Sequence, residues 1–355
     1  MSQSVSSPSN NVQREGSLVR LNDVPMAGGD GNGYVRGLET LLVHAGAPVD
    51  YNRLMGLSGT AFIFQADSEH RWEGKVDAGW WPLDPWGLKL YREFLSRAVG
   101  FELKEVGPFY DSQHWPASRD DRRDFYIKQI HADVVRQIDA GHPVLSTFFP
   151  AHAIWAYVIT GYDHGLATDK PPIWGRCARE TELKNCNYAD DWPWAVLVIG
   201  KRTDPMDADA ADLTALRHAV ALAHDQAGPT EAPWAGRRFT GQKAWTAWAA
   251  LLRNEDEAVD DHAHWNVRNG LIRNRTAAVA YVQRVAQRRE GQAAEALRAV
   301  AAAYENVLEP INRLDFSGIS TDAAKRRQQA DAVDIIAALE KEAITHLQRA
   351  IDALK

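Results

Sequence analysis

The chain has 355 residues, with 40 Lys and Arg against 47 Asp and Glu, and a formal net charge of −7. Apolar residues make up 45% and charged residues 25% of it, which excludes a wholly disordered or fibrous protein and, at this length, predicts about two domains. No apolar run approaches the ~20 residues of a membrane span, no secretory signal is recognisable, and the acidic balance argues against a nucleic-acid binder, so we expect a cytoplasmic protein without membrane or nucleic-acid partners.

The first part of the chain is predicted to contain both helices and strands. Residues 1–25 are rich in Ser, Asn and Gln and are predicted to form a flexible arm. After the Gly-rich loop 27–33, helical spacing of leucines predicts a helix from Tyr34 to Ala45, with Asn32 or Asp30 as its cap. Further predictions, in chain order, are a helix over 49–56, a turn and strand in GLSGTAFIFQ (56–65), an aromatic-rich loop over 70–90, a helix over 85–99, a strand over 101–106, a helix over 121–141, strands over 142–149 and 153–163, a polar excursion over 164–191, and a strand over 194–202.

The second part of the chain is predicted to be helical. After Pro205 the strand signals vanish, and the predicted helices cover 210–226, 239–253, 265–289, 291–309 and 320–354. We therefore predict an α+β domain over 26–205 and an α-helical domain over 206–355. Whether the two are separable stays open.

Two stretches of the first part carry a resemblance to a known family. They are GYVRGLETLLVHAG (33–46), continuing to YNRLMGLSGTAFIF (51–64), and GHPVLSTFF (141–149), continuing through AYVITGYDHG (156–165). With these residues in this order, most of 30–205 resembles the papain-like cysteine peptidases of the C39-like group, in particular the N-terminal domain of butirosin biosynthesis protein H. The resemblance implies a papain-like core, with helices packed on an antiparallel sheet, followed by an α-helical region.

The chemistry of that family requires a thiol at the amino end of the first helix, a His on a later strand as base, and a Gln that donates to the oxyanion. Carried over by position, the Cys falls on Tyr34, the Gln near Gly28, and the His on Trp155. No cysteine precedes Cys177. A phenol with a pKa near 10 is a poor nucleophile at neutral pH. The departures therefore indicate that thiol catalysis has been lost.

The leading hypothesis is a catalytically degenerate member of this group that binds a small molecule or peptide in the former active-site cleft, in secondary metabolism. The cleft would involve Tyr34, Ser58 and Trp155. An alternative is an active acyltransferase or amide hydrolase, in which Tyr34 or Ser58 is assisted by His152. A third hypothesis is a structural or homo-oligomeric protein with a Trp-rich interface. The further candidate binding residues are Tyr157, Asp163, Trp80 and Trp81.

The remaining candidates each have an ordinary explanation. Ser58 lies in GLSGT and lacks the second Gly of a nucleophile elbow, so a turn Ser is the alternative to a cleft residue. His152 could equally be a loop His, and turn chemistry explains Asp163 as well as catalysis does. Cys177 and Cys186 suit two free thiols in a reducing compartment, with a disulfide as the alternative.

We expect no cofactor and no metal. Asp261, His262 and His264 could offer metal ligands, but His residues two apart point to different faces of a helix. Glu342 and His346 share a helical face, for which a solvated ion pair is the default interpretation.

Overall fold

The computed structural model divides the chain into two compact units, and each is described by itself. Unit 1 comprises Met1–Tyr51 and Val99–Pro205, and unit 2 comprises Asn52–Ala98 and Met206–Lys355. The structure describes residues 11–25, 27–67, 76–77, 85–107, 118–146, 156–166, 169–193, 195–226 and 238–354.

The described elements alternate between helices and short strands before residue 205 and are mainly helical after it. The strands are β1 (Val12–Glu15), β2 (Leu18–Leu21), β3 (Gln65–Asp67), β4 (Val76–Asp77), β5 (Phe101–Val106), β6 (Val144–Ser146), β7 (Tyr157–Asp163), β8 (Ile173–Cys177), β9 (Asn187–Tyr188), β10 (Val196–Arg202) and β11 (Arg238–Thr240). The helices are α1 (Gly33–His44), α2 (Tyr51–Leu57), α3 (Pro85–Val99), α4 (Arg119–Phe125), α5 (His131–Asp139), α6 (Ala208–Ala223), α7 (Gly241–Arg253), α8 (Asp261–Gln287), α9 (Gly291–Arg313) and α10 (Ala323–Ala353). None of these helices is long and apolar enough to cross a lipid bilayer.

Unit 1 is built on an antiparallel sheet in the order β1-β2-β7-β6-β10-β5, with β8 paired to β7 and β9 paired to β8. The predicted strand over 101–106 is confirmed, and the strands predicted over 142–149, 153–163 and 194–202 are confirmed in part. The mixed α and β character of the prediction is therefore confirmed. The polar excursion predicted over 164–191 is wrong in part, since it contains β8 and β9.

The flexible arm predicted for residues 1–25 is wrong for its second half. Strands β1 and β2 form a hairpin that joins the sheet through β7, with Leu18 opposite Asp163. Gly16 has a φ of 62° in the two-residue turn, a conformation that favours glycine. Val19 and Leu21 are buried. The alternation of these two apolar residues is hidden by the polar composition around them.

Helices cover both faces of this sheet. On one face, α5 and the residues before it bury Tyr126, Ile130 and Val134 in one apolar cluster with Val144 and Ile159 of the sheet. On the other face, α1 packs against β6 and β7. The predicted helix over 121–141 is confirmed in part, since a π-helical turn (Tyr126–Ile130) lies between α4 and α5.

Unit 2 is dominated by the long helices α7 to α10, among which α9 packs on both α8 and α10. All five helices predicted after residue 205 are confirmed, with shifted ends. The expected absence of strands there is wrong, because β11 pairs with β3 in a second, three-stranded sheet. The units also divide the chain differently from the predicted domains, since residues Asn52–Ala98 group with the C-terminal helices.

The strand predicted in the apolar run 56–65 begins only at Gln65. Gly59 has a φ of 75°, which turns the chain after α2. The carbonyl groups of Ala61 and Ile63 accept hydrogen bonds from the Arg275 guanidinium at 2.9 and 3.3 Å. A side chain thus supplies the donors that a neighbouring strand would otherwise provide.

Candidate functional site

The amino end of α1 is positioned by the Gly-rich loop before it. Asn32 caps the helix, because its Oδ1 accepts the backbone N–H groups of Tyr34 and Val35 at 3.1 and 3.2 Å. Gly31 has a φ of 140°, and a Cβ there would lie 2.8 Å from the ring of Tyr51. A Cβ on Gly28 would overlap the carbonyl group of Glu180. Gly28 and Gly31 are thus explained by close approach of other chain segments.

Gly37 brings α1 close to the sheet. A Cβ at this position would overlap Leu145 Cδ1 of β6 and lie 3.2 Å from the Cβ of Ala178. The first helix therefore packs directly on the strands 144–146 and 157–163. It positions Tyr34 at the start of a helix beside this sheet.

Tyr34 is the second residue of α1, and its side chain is buried. The helix dipole concentrates partial positive charge at this end. The backbone N–H of Tyr34, however, donates to Asn32 at 3.1 Å. An N–H group that is already bonded to a cap is not available to stabilise an oxyanion.

A polar cluster surrounds the same helix end. The Arg36 guanidinium lies 3.9 Å from the centre of the Tyr51 ring and donates to Glu39 at 2.9 Å. The hydroxyl of Tyr51 accepts the backbone N–H of Asn32 at 2.7 Å, and Glu39 accepts the N–H of Tyr51 at 2.8 Å. Burial raises the pKa of Glu39, although the bond from Arg36 opposes the shift. The cluster fixes the start of α2 against the cap of α1.

Arg179 contacts the Gly-rich loop that precedes α1. It forms an ion pair with Asp30 at 3.1 Å, and its carbonyl group accepts the N–H of Gly29 at 2.7 Å. The aliphatic part of Arg179 is 3.6 Å from a Cβ built on Gly33. A partly exposed cation therefore adds to the positive character of the amino end of α1.

Four of the predicted site residues lie outside the described residues, namely His152, Trp155, Trp80 and Trp81. Ser58 belongs to unit 2 and Tyr34 to unit 1. Ser58 is buried in the turn after α2, where its hydroxyl lies 2.8 Å from Thr60 Oγ1 and 3.4 Å from the carbonyl oxygen of Met55. These hydrogen bonds are local to the turn.

Tyr157 and Asp163 stabilise the sheet. The hydroxyl of Tyr157 donates to the carbonyl oxygen of Asn187 at 2.6 Å, and burial raises the pKa of this phenol. Asp163 accepts from the Tyr188 hydroxyl at 2.6 Å and from the N–H of Gly165 at 2.8 Å. Burial works to raise the pKa of Asp163, but the hydrogen bonds outweigh it and the pKa lies below its ordinary value.

The two cysteines are free thiols, as expected, and both are half-buried. Burial raises the pKa of Cys177 and of Cys186. Because the thiolate is the nucleophilic form, both are poor nucleophiles at neutral pH. Neither stands at the start of α1.

The candidate metal ligands of unit 2 make other contacts. His264 is buried and its Nδ1 accepts from the Trp248 indole at 2.8 Å. Asp261 accepts from the backbone N–H of Ser320 at 2.8 Å. His346 lies 3.8 Å from Glu342, as expected for a solvated pair. Among the residues that the structure describes, no group of three or more His, Cys, Asp or Glu side chains could hold a metal ion.

Two groups could not be found from the sequence, one buried and one half-buried. Arg176 of β8 is fully buried, and the ring of His218 on α6 stacks on Tyr91 with 4.0 Å between the ring centres. Neither residue belongs to a recognisable motif. The only available signal was an Arg inside an otherwise strand-like segment, IWGRC.

No protein-family model matches this chain, and a search of the curated proteins finds no match.

Proposed function

We propose that the chain is a papain-like, C39-like protein that has lost thiol catalysis and binds a small molecule or peptide at the amino end of α1. The observation that carries the proposal is a helix packed directly on an antiparallel sheet, with Tyr34 as its second residue. The resemblance puts the nucleophile at Tyr34. The family assignment rests on the sequence resemblance of 33–64 and 141–165.

The loss of catalysis is supported by two features of this helix end. A phenol is mostly protonated at neutral pH and attacks carbonyl groups poorly. The backbone N–H of the same residue is bonded to Asn32, so it is withdrawn from any oxyanion. A phenol thus stands where the resemblance puts the thiol, and one electrophilic group of an acyl-transfer site is bonded to the cap.

The remaining groups at this helix end are suited to binding a ligand. The amino end of α1 carries the positive end of the helix dipole, and the partly exposed cation Arg179 lies beside it. This combination favours a ligand with a polar or negatively charged group. Its ion-pair partner, Asp30, is fully exposed, so the pair is easily exchanged for a ligand.

The proposal is tested by releasing small molecules and peptides from purified full-length protein and identifying them by mass spectrometry. A ligand retained by the wild-type protein and lost from Tyr34→Ala and Arg179→Ala supports binding at this end of α1. Arg202→Ala, which removes an exposed Arg elsewhere in unit 1, is the matched control. Equal retention by all variants contradicts the proposal.

A further inference from the structure

Arg176 is a buried cation that forms no ion pair with any residue the structure describes. Its side chain is 0% exposed, and burial lowers the pKa of its guanidinium group below the ordinary value. The groups that act on it electrostatically are the thiols of Cys186 and Cys177, which are protonated at neutral pH, and Glu180. The Glu180 carboxylate instead accepts from Asn185 Nδ2 at 2.6 Å. Within the described part of the chain, no carboxylate therefore bonds to this charge.

The hydrogen bonds of Arg176 are confined to one of its nitrogens. Nη1 donates to the carbonyl oxygen of Cys177 at 3.2 Å and also to that of Glu180. Nε and Nη2 are buried and have no acceptor among the described residues. These two nitrogens form the side edge of the planar guanidinium group, and a guanidinium edge of this kind binds the two oxygens of a carboxylate in parallel.

The segments beside β8 bring neutral polar groups close to Arg176. Asn187 pairs with Gly175, and this register brings the preceding Cys186 alongside Arg176. The Sγ atom of Cys186 lies 3.7 Å from Thr160 Oγ1, so a neutral thiol and a hydroxyl stand nearby. A buried cation without a counter-charge is costly, and a bound anion removes that cost.

The structure assigns the Nε and Nη2 edge of Arg176 as a binding site for a carboxylate group, carried by a small organic acid or by the C-terminus of a peptide. One cation and two neutral groups match a planar, singly charged carboxylate better than a phosphate, which is tetrahedral and carries more charge. The assignment uses none of the residues of the proposed function, so either can fail without the other.

The test measures the thermal unfolding midpoint of dialysed full-length protein as sodium acetate is added, against sodium chloride at the same ionic strength. We expect acetate to raise the midpoint saturably, to a few degrees above its value in sodium chloride. The dipeptide Ala-Ala and its C-terminal amide form a second arm. A larger rise with Ala-Ala that amidation abolishes identifies a peptide C-terminus, whereas a response to acetate alone identifies a small acid.

Two variants connect the response to Arg176. Arg176→Met removes a buried unpaired charge, so it is expected to fold, and the response to acetate is expected to disappear. Arg176→Lys keeps the charge but loses the planar guanidinium edge with its two parallel donors, so acetate is expected to bind at least about tenfold more weakly. Arg202→Met is the exposed control and keeps the response. The assignment is overturned if acetate has no effect, if chloride or inorganic phosphate acts as strongly, or if Arg176→Met responds like the wild-type protein.

Discussion

The side-chain oxygen of Asn32 accepts the backbone N–H of Tyr34 at 3.1 Å. The cap of α1 therefore occupies an N–H group that could otherwise stabilise an oxyanion at this position. The same oxygen accepts the N–H of Val35. Two of the unsatisfied donors that every helix leaves at its start are thereby paired. The relationship explains how this helix end is stabilised, and under the proposed function it withdraws this N–H from an oxyanion.

Removal of the cap is expected to destabilise the protein. Asn32→Ala leaves two backbone donors of α1 without a partner and should lower the free energy of unfolding by about 1 kcal/mol. Asn32→Asp keeps an acceptor and adds negative charge at the positive end of the helix, so it should stay within about 0.5 kcal/mol of the wild-type protein. Urea denaturation measures both. Equal losses in the two variants would show that the cap bond is unimportant.

The close packing of α1 on the sheet predicts that Gly37 cannot accept a larger side chain. Gly37→Val forces a branched side chain against Leu145 and should cost about 1–3 kcal/mol. Gly33→Ala is the control, since its Cβ would meet its nearest neighbours at 3.6 Å, an ordinary contact, and should cost less than about 1 kcal/mol. A Gly37→Val protein as stable as the control would place α1 away from β6.

In unit 2, the ion pair between Arg275 and Glu340 is expected to be sensitive to the loss of one partner. Both side chains are almost fully buried, with exposed fractions of 1% and 6%. Glu340→Ala leaves a buried cation without its partner and should cost about 3–5 kcal/mol in chemical denaturation. Glu342→Ala, on the exposed side of the same helix, should change stability by less than about 0.5 kcal/mol. Similar losses in both variants would rule out a buried pair.

His218 predicts a loss of stability in mild acid. Burial against Tyr91 and Phe94 lowers its pKa to about 4, from an ordinary value of 6.5. Between pH 6.5 and about 4, the unfolded chain therefore binds a proton that the folded chain does not bind. The free energy of unfolding falls as the pH falls through this window.

The variant His218→Phe keeps an aromatic ring beside Tyr91 and removes the titrating group. We expect its free energy of unfolding to fall less between about pH 7 and about pH 4.5 than that of the wild-type protein. His224→Gln, which removes an exposed His at the end of the same helix, should keep the wild-type dependence. An unchanged slope in His218→Phe would show that His218 protonates freely in the folded protein.

Local patterns in the sequence were sufficient to predict the elements with strong periodicity. Helices such as α1 and α8 have regular apolar spacing and clear start signals, of which Asn32 is one. The hairpin of β1 and β2 was missed because four-residue strands offer too few positions to show an alternation, and its partner β7 is more than 100 residues away.

Features that depend on distant contacts could not be predicted. The assignment of Asn52–Ala98 to the same unit as the C-terminal helices rests on contacts such as Gly56 with Tyr281, which no local pattern reveals. Of the side chains around the amino end of α1, only Tyr34 was predicted as a site residue, and that prediction came from the resemblance. Arg176 became visible only when its burial and its unpaired nitrogens were known, since an Arg in a strand is usually exposed.

The proposed loss of acyl transfer is tested most directly by intact-protein mass spectrometry after incubation with an acyl thioester at about pH 7. The experiment uses a protein carrying Cys177→Ser and Cys186→Ser, so that thiol exchange at these residues does not contribute. We expect no acyl adduct on Tyr34 or Ser58. An adduct that peptide mapping places on Tyr34, and that Tyr34→Phe removes, would contradict the proposed loss of acyl transfer.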